Sequence, residues 1–298
     1  RSVLLRHFPG LNIGLVVIKT LGDKILDSPL SAIGDKGLFT KEIENALLDG
    51  RIDIAVHSLK DIPTRVPDGL TIPAITERED VRDVFIAHPG KPGLRLSDLP
   101  DGASVATGSL RRKCQLLALR PDVQVVDIRG NLNTRLEKLG ESDWHGMILA
   151  KAGLTRLGFS DRITEVLPFD VMLPAVGQGA LGVEIRSDDR KATDLVRCLH
   201  HEETAVAVRG ERALLRFLEG GCQVPIGTYG RVEDRTFRLD ALIGSLDGRR
   251  IVRGSIAGSP HDSEALGTEL AKELLDRGGK GILEEIRSAL PGTEPGDI

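Results

Sequence analysis

Through the first two-thirds of the chain, short apolar, β-branched runs alternate with segments whose apolar residues recur every three or four positions. Strands are expected at Ile13–Thr20, Ile52–His57, Ser104–Thr107, Val123–Ile128 and Met147–Ala152. Each lies beside a helical pattern, which is the signature of an α/β fold with a largely parallel sheet. The segment Thr40–Asp49 shows the local logic. Thr40 can cap a helix, Glu42 and Glu44 suit its positive end, and Ile43, Ala46 and Leu47 share one face before Asp49-Gly50 stops it. The charged run Thr76-Glu77-Arg78-Glu79-Asp80 and the turn-rich stretch from Ala87 to Gly93 interrupt the pattern, placing a domain edge near 77–82. Beyond residue 200 the texture changes. A helical stretch, Ala205–Leu218, ends at Gly220-Gly221; strands Thr236–Ile243 and Arg250–Ala257 then lead to an amphipathic helix around Asp262–Asp276. That is a small α+β domain, followed by a Pro/Gly-rich tail, Pro291–Ile298, expected to fray.

At roughly 100–200 residues per domain, 298 residues make two or three domains. A net charge of −4 and only 3% aromatic residues argue against a basic nucleic-acid-binding protein. Three scattered cysteines, Cys114, Cys198 and Cys222, argue against a disulfide framework or a structural zinc site. With no long apolar run and no signal-peptide pattern at Arg1–Arg6, a soluble intracellular chain is expected.

The charge is unevenly placed. Segment 105–156 holds nine Lys/Arg against five Asp/Glu, so an acidic remainder masks a basic core. Three strand ends carry arginine: Gly108-Ser109 before Arg111-Arg112, Arg129-Gly130-Asn131 before Arg135, and Ala152-Gly153 before Arg156. Cations at helix starts oppose the helix dipole unless an anion joins them, so a ligand with several carboxylates or phosphates is expected. Lys60 and Asp61 lie at another strand end, stopped by Pro63; there an ammonium and a carboxylate can face one cleft and move protons. Cys222, in a tight Gly-rich loop, suits a presented and modified thiol, whereas Cys114 and Cys198 sit in helical patterns as packing residues. Two strings mislead. Gly177-Gln178-Gly179-Ala180-Leu181-Gly182 matches a dinucleotide fingerprint but runs into a strand pattern, and His200-His201-Glu202-Glu203 lacks metal-ligand spacing and reads as a helix start.

Five strings in order carry a resemblance: His57-Ser58-Leu59-Lys60-Asp61-Ile62-Pro63; Gly108-Ser109-Leu110-Arg111-Arg112; Arg129-Gly130-Asn131 with Thr134-Arg135-Leu136; Leu173-Pro174-Ala175-Val176-Gly177-Gln178-Gly179-Ala180; and Glu219-Gly220-Gly221-Cys222-Gln223-Val224-Pro225-Ile226-Gly227. Together they resemble the porphobilinogen deaminase (hydroxymethylbilane synthase) family over nearly the whole chain. The resemblance implies an α/β fold of two periplasmic-binding-protein-like lobes around a cleft plus a small α+β C-terminal domain. Residues 1–76 and 180–197 would form lobe 1, 82–173 lobe 2, and 202–298 the cofactor-carrying domain. It implies a dipyrromethane cofactor held by Cys222 through a thioether, and four porphobilinogen units added head to tail with loss of ammonia. Asp61 becomes the catalytic carboxylate; Lys60, Ser109, Arg111, Arg112, Arg129 and Arg135 bind the cofactor; Arg129, Arg135, Arg156, Lys36 and Phe39 meet the substrate. The expected protein is a cytoplasmic monomer, or a plastid one in a photosynthetic eukaryote, with no nucleic-acid or membrane partner. The family's opening Arg-x-Gly-Ser/Thr-Arg-x-Ser-x-Leu-Ala strand lies before Arg1, so lobe 1 is expected to lack it and turnover to be poor. The competing readings are a non-catalytic anion-binding two-lobe protein, which leaves Asp61 and Cys222 without a role, and a nicotinamide oxidoreductase, which rests on the glycine string alone.

Overall fold

The computed structural model describes residues 1–24, 37–218 and 224–289. After helices α1 (Ser2–His7), α2 (Leu21–Lys24) and α3 (Lys41–Leu48), the first sheet is built from β1 (Ala55–Ser58), β2 (Leu70–Ile75) and, much later in the chain, β8 (Leu181–Arg186). Its order is β1-β8-β2, antiparallel at both pairings. The second sheet takes the five strands between: β3 (Asp83–Ala87), β4 (Ser104–Ala106), β5 (Gln124–Val126), β6 (Gly146–Ala150) and β7 (Glu165–Val166), in the order β5-β4-β6-β3-β7. The chain therefore leaves the first sheet after β2 and returns to lay β8 between the strands it left. That return explains why the first sheet is antiparallel. The largely parallel arrangement expected from the sequence holds only for β5-β4-β6.

Lobe 2 has a core on each face of its sheet. Phe85 packs with Val105, Leu116 and Ile148 on one side, while Val84 and Ile86 pack with Met147, Leu136 and Leu139 on the other. Every residue of β3 is buried, as expected of a strand covered on both faces; the covering helices include α4 (Leu110–Leu119) and α5 (Leu132–Glu141). Helix α6 (Lys151–Arg156) follows β6 directly. In the first sheet α3 packs Leu47 on Ala55 and Leu70. Helix α7 (Arg190–Val196) then leads toward the third domain, where α8 (Glu202–Phe217), α9 (Ser263–Leu274) and α10 (Lys280–Ala289) accompany the antiparallel sheet β9 (Ile226–Glu233), β10 (Thr236–Gly244) and β11 (Ile251–Gly258). Helices α8 and α9 cross so closely that a Cβ on Gly267 would meet the Gly210 carbonyl oxygen at 2.2 Å.

The run Ile13–Thr20 forms no strand, against expectation. β-Branched residues favour the extended state mainly through cross-strand packing. Here no ladder forms, and Leu15, Val16 and Val17 are 74%, 64% and 90% exposed.

Candidate active site

Strand β1 runs into a single 3-10 turn, Leu59–Asp61. Leu59 and Ile62 are buried together against Ala180 and Val208, so the residues between them, Lys60 and Asp61, are turned outward. Two glycines make room for this turn. A Cβ on Gly182 would meet Ile62 and Leu59 side-chain atoms at 2.8 and 2.9 Å, and Gly177, at φ +69°, backs the turn with its Cβ position 3.3 Å from the Lys60 nitrogen.

Lys60 and Asp61 have water-accessible surface, yet protein surrounds them on the remaining sides. That enclosure raises the Asp61 carboxyl pKa above its ordinary value, against the opposing pull of Lys60, His57 and Arg135. It lowers the Lys60 ammonium pKa; Asp61 and Asp83 counter this, while Arg112 and Arg111 add to it. Charges from both lobes thus meet at one strand end, as ligand sites in α/β folds do.

On the lobe 2 side, β4 enters α4 through Gly108-Ser109, where a Cβ on Gly108 would meet the Ile128 carbonyl oxygen at 2.7 Å. Ser109 occupies the N-cap without a side-chain capping bond. Arg111 and Arg112 turn inward: Arg111 donates to Asp83 Oδ2 and to the Leu173 carbonyl, both at 2.6 Å. Arg112 donates to Asp83 Oδ1 at 2.8 Å and to the Ile148 carbonyl at 3.2 Å. The Gln178 amide adds a bond of 2.9 Å to the same Asp83 oxygen. Although burial alone would raise it, the two guanidinium groups hold Asp83 at about 2.

Arg129 and Arg135 stand differently. Asn131 caps α5 by accepting from the Thr134 N–H at 2.9 Å. Arg135 Nε donates to the Gly130 carbonyl at 2.8 Å, and its other nitrogens have no acceptor among the described residues. Burial, with Arg112 and Arg129 pushing the same way, pulls Arg135 down to about 10. Arg129 is lowered by burial too, with Asp127 opposing, and no side-chain acceptor reaches it among the described residues.

The remaining expected residues are scattered. Phe39 packs its ring where a Cβ on Gly22 would stand, and Arg156 is exposed in the last turn of α6. Lys36 and Cys222 lie outside the described residues. Cys114 is buried with its thiol pushed up to about 12, a packing residue as expected. The Gly177–Gly182 string belongs to the return crossing and enters β8. His201 caps α8 by accepting from Thr204 N–H, and Glu202 pairs with Arg209 and His200.

Sequence reasoning missed Asp83, Glu184 and Glu211. Glu211 is fully buried, paired with Arg78 at 2.8 Å, and accepts from the Gly177 and Gly230 N–H groups, tying both crossings to the third domain. The signal for Asp83 and Glu184 was a single charge inside an apolar strand run, Asp83-Val84-Phe85-Ile86 and Val183-Glu184-Ile185. Such a charge is retained only with a partner.

Fold and site define a two-lobed α/β protein whose cleft gathers unneutralised cations around one carboxylate. Residues 2–194 match the family model for the porphobilinogen deaminase dipyromethane cofactor binding domain, and residues 205–276 match the porphobilinogen deaminase C-terminal domain. The porphobilinogen deaminase of Chlorobaculum parvum is 55% identical over 96% of this chain and 92% of its own length; that of Chlorobaculum tepidum is 54% identical over the same shares. The chain belongs to the porphobilinogen deaminase family. Among solved structures, the Bordetella pertussis BvgS VFT2 domain overlaps 66% of this chain and 74% of its own, with 14% identity and a TM-score of 0.38.

Proposed function

We infer that this chain is a transferase that condenses four porphobilinogen molecules head to tail, releasing ammonia, to give hydroxymethylbilane in tetrapyrrole biosynthesis. Family membership over both matched domains supports it, and one observation of the site carries the chemistry: among the described residues Arg129 and Arg135 form no ion pair with a carboxylate, Asp127 acting on both and Asp61 on Arg135 only through space. Pyrroles bearing acetate and propionate groups supply the missing carboxylates.

A dipyrromethane cofactor fits this donor set. Its carboxylates would lie against Arg129, Arg135, Lys60 and Ser109, with Cys222 as the thioether anchor. When bound, it supplies the pyrrole terminus on which the chain is extended. Arg111 and Arg112 fit a supporting role, since both are bonded to the buried Asp83 carboxylate. Asp61 faces the aminomethyl group of incoming porphobilinogen, stabilises the positive charge left as ammonia departs, and accepts the proton lost when the new carbon–carbon bond forms. Lys36, Phe39 and Arg156 are assigned to substrate contact. We also take 1–76 with 180–197, 82–173 and 202–298 as the three domains. The protein is read as a cytoplasmic monomer; no described helix is long and apolar enough to cross a membrane.

Intact-mass measurement tests the reading. An adduct of two pyrrole units is expected, absent from Cys222→Ala; bare polypeptide mass in the parent would favour a non-catalytic anion binder. Asp61→Ala should keep its fold and lose porphobilinogen consumption by at least about a hundredfold. Because the Asp61 pKa is raised, the parent's rate should fall on acidification at a pH above the ordinary carboxylate value of 3.8.

A further inference from the structure

Behind the turn that presents Asp61 lies a buried histidine–glutamate pair to which the reaction as described gives no part. His57 sits on β1 opposite Gly182, and Glu184 sits two residues further along β8, opposite Ala55. On an antiparallel pair this diagonal brings the side chains together on one face, and His57 Nε2 meets Glu184 Oε2 at 3.0 Å. The two side chains are 4% and 0% exposed. Replacing such a buried pair by apolar residues is often neutral or stabilising, and Ala55, two residues before His57 on the same face of β1, already packs with the apolar Leu47 and Leu70. Stability alone therefore does not account for it.

The arrangement is also lopsided. Among the described residues Glu184 Oε1 is buried without a hydrogen-bond partner, and Glu44 from α3, beside Thr40, brings a second carboxyl group to it. Two carboxyl groups thus share one imidazole. Glu44 is raised by burial and by Glu184, and lowered by Thr40 and His57. The same imidazole acts on Asp61, four residues along the chain, countering the burial that raises it.

We propose that His57 and Glu184 are positioning residues for Asp61: together they pin the strand end that bears it and set the charge at its back. The proposal rests on Asp61 being the catalytic carboxylate. The groups facing this pair are Glu44 from α3 and Asp61 from the turn; Asp61 is faced in turn by Lys60 beside it and by Arg135 across the cleft.

The test compares the holoenzyme of the parent, H57Q/E184Q and D61N on porphobilinogen. The double variant keeps a polar contact and removes both the imidazole and the carboxylate. It should melt close to the parent and keep KM within about twofold, while kcat falls roughly tenfold. Its acid limb should move to higher pH, because the imidazole that lowered the Asp61 pKa is gone. A parent-like kcat and acid limb in the double variant, beside an inactive D61N, overturns this proposal alone. Full turnover by D61N removes the catalytic reading and this proposal with it. If H57Q/E184Q does not fold, His57→Gln alone keeps a hydrogen bond to Glu184 while removing the imidazole and should move the limb to higher pH as well; an unmoved limb overturns the proposal.

Discussion

Around Asp83, two guanidinium groups and a glutamine amide converge on one buried carboxylate. Around Arg135, guanidinium groups crowd together and repel one another, with Asp127 and Asp61 reaching them only through space. Both regions draw their cations from the same basic segment, and at the level of composition they are alike. The partner separates them. An arginine whose donors end on a fully buried carboxylate holds the fold together, whereas one left with free donors in an enclosed cleft is a vacancy for an anion. We propose on this basis that Arg111, although its Nε is buried without a partner among the described residues, and Arg112 serve chiefly the lobe's architecture, and Arg129 and Arg135 the ligand.

The largest effect that tests this contrast is on stability. Asp83→Asn leaves two buried guanidinium groups without their carboxylate and should cost about 3–5 kcal/mol, read by chemical denaturation. The same pairing has a pH signature. Asp83 is held at about 2 against an ordinary 3.8, so its contribution is complete above the unfolded value and is lost as pH falls from about 4 toward 2. The variant should lack that segment of acid sensitivity. Arg135→Gln should behave in the opposite sense. Removing a cation that repels Arg112 and Arg129 should leave the melting temperature unchanged or raised, while KM for porphobilinogen rises about tenfold or more through a lost charge-assisted contact. A large stability loss in Arg135→Gln, or none in Asp83→Asn, would erase the distinction.

The contrast also shows what the chain made legible. The α/β class, the crossing near 77–82 and the small third domain follow from patterns carried by neighbouring residues: Pro63 after a strand, glycines at the return crossing, and the helix period of Ala205–Leu218. The strand-end arginines were visible in the same way. What they bind was not, because Asp83 lies 28 residues from Arg111 in the chain and meets it only when β3 enters the second sheet. Ile13–Thr20 fails for the mirror reason: its residues suit a strand, but a strand needs a partner, and local sequence cannot provide one. The sheet direction depended on a return crossing more than a hundred residues after β1, beyond the reach of any window.

Arg212 gives the smallest and most discriminating case. It stands on α8 and donates to the carbonyls of Ile62 and Pro63 at 3.1 and 2.6 Å, directly after Asp61. Burial, with Arg216 adding to it, brings it down to about 10, as for Arg135, yet its donors end on backbone oxygens. If free donors rather than a lowered pKa mark a ligand arginine, Arg212 is structural. Arg212→Met then loses two hydrogen bonds to carbonyls while relieving a buried cation, a net cost on the order of 1 kcal/mol. KM should stay within twofold of the parent, and kcat should fall only as far as the turn carrying Asp61 loosens. A tenfold rise in KM would instead place Arg212 beside Arg135, and the rule that sorts the two regions would have to be drawn from burial and charge alone.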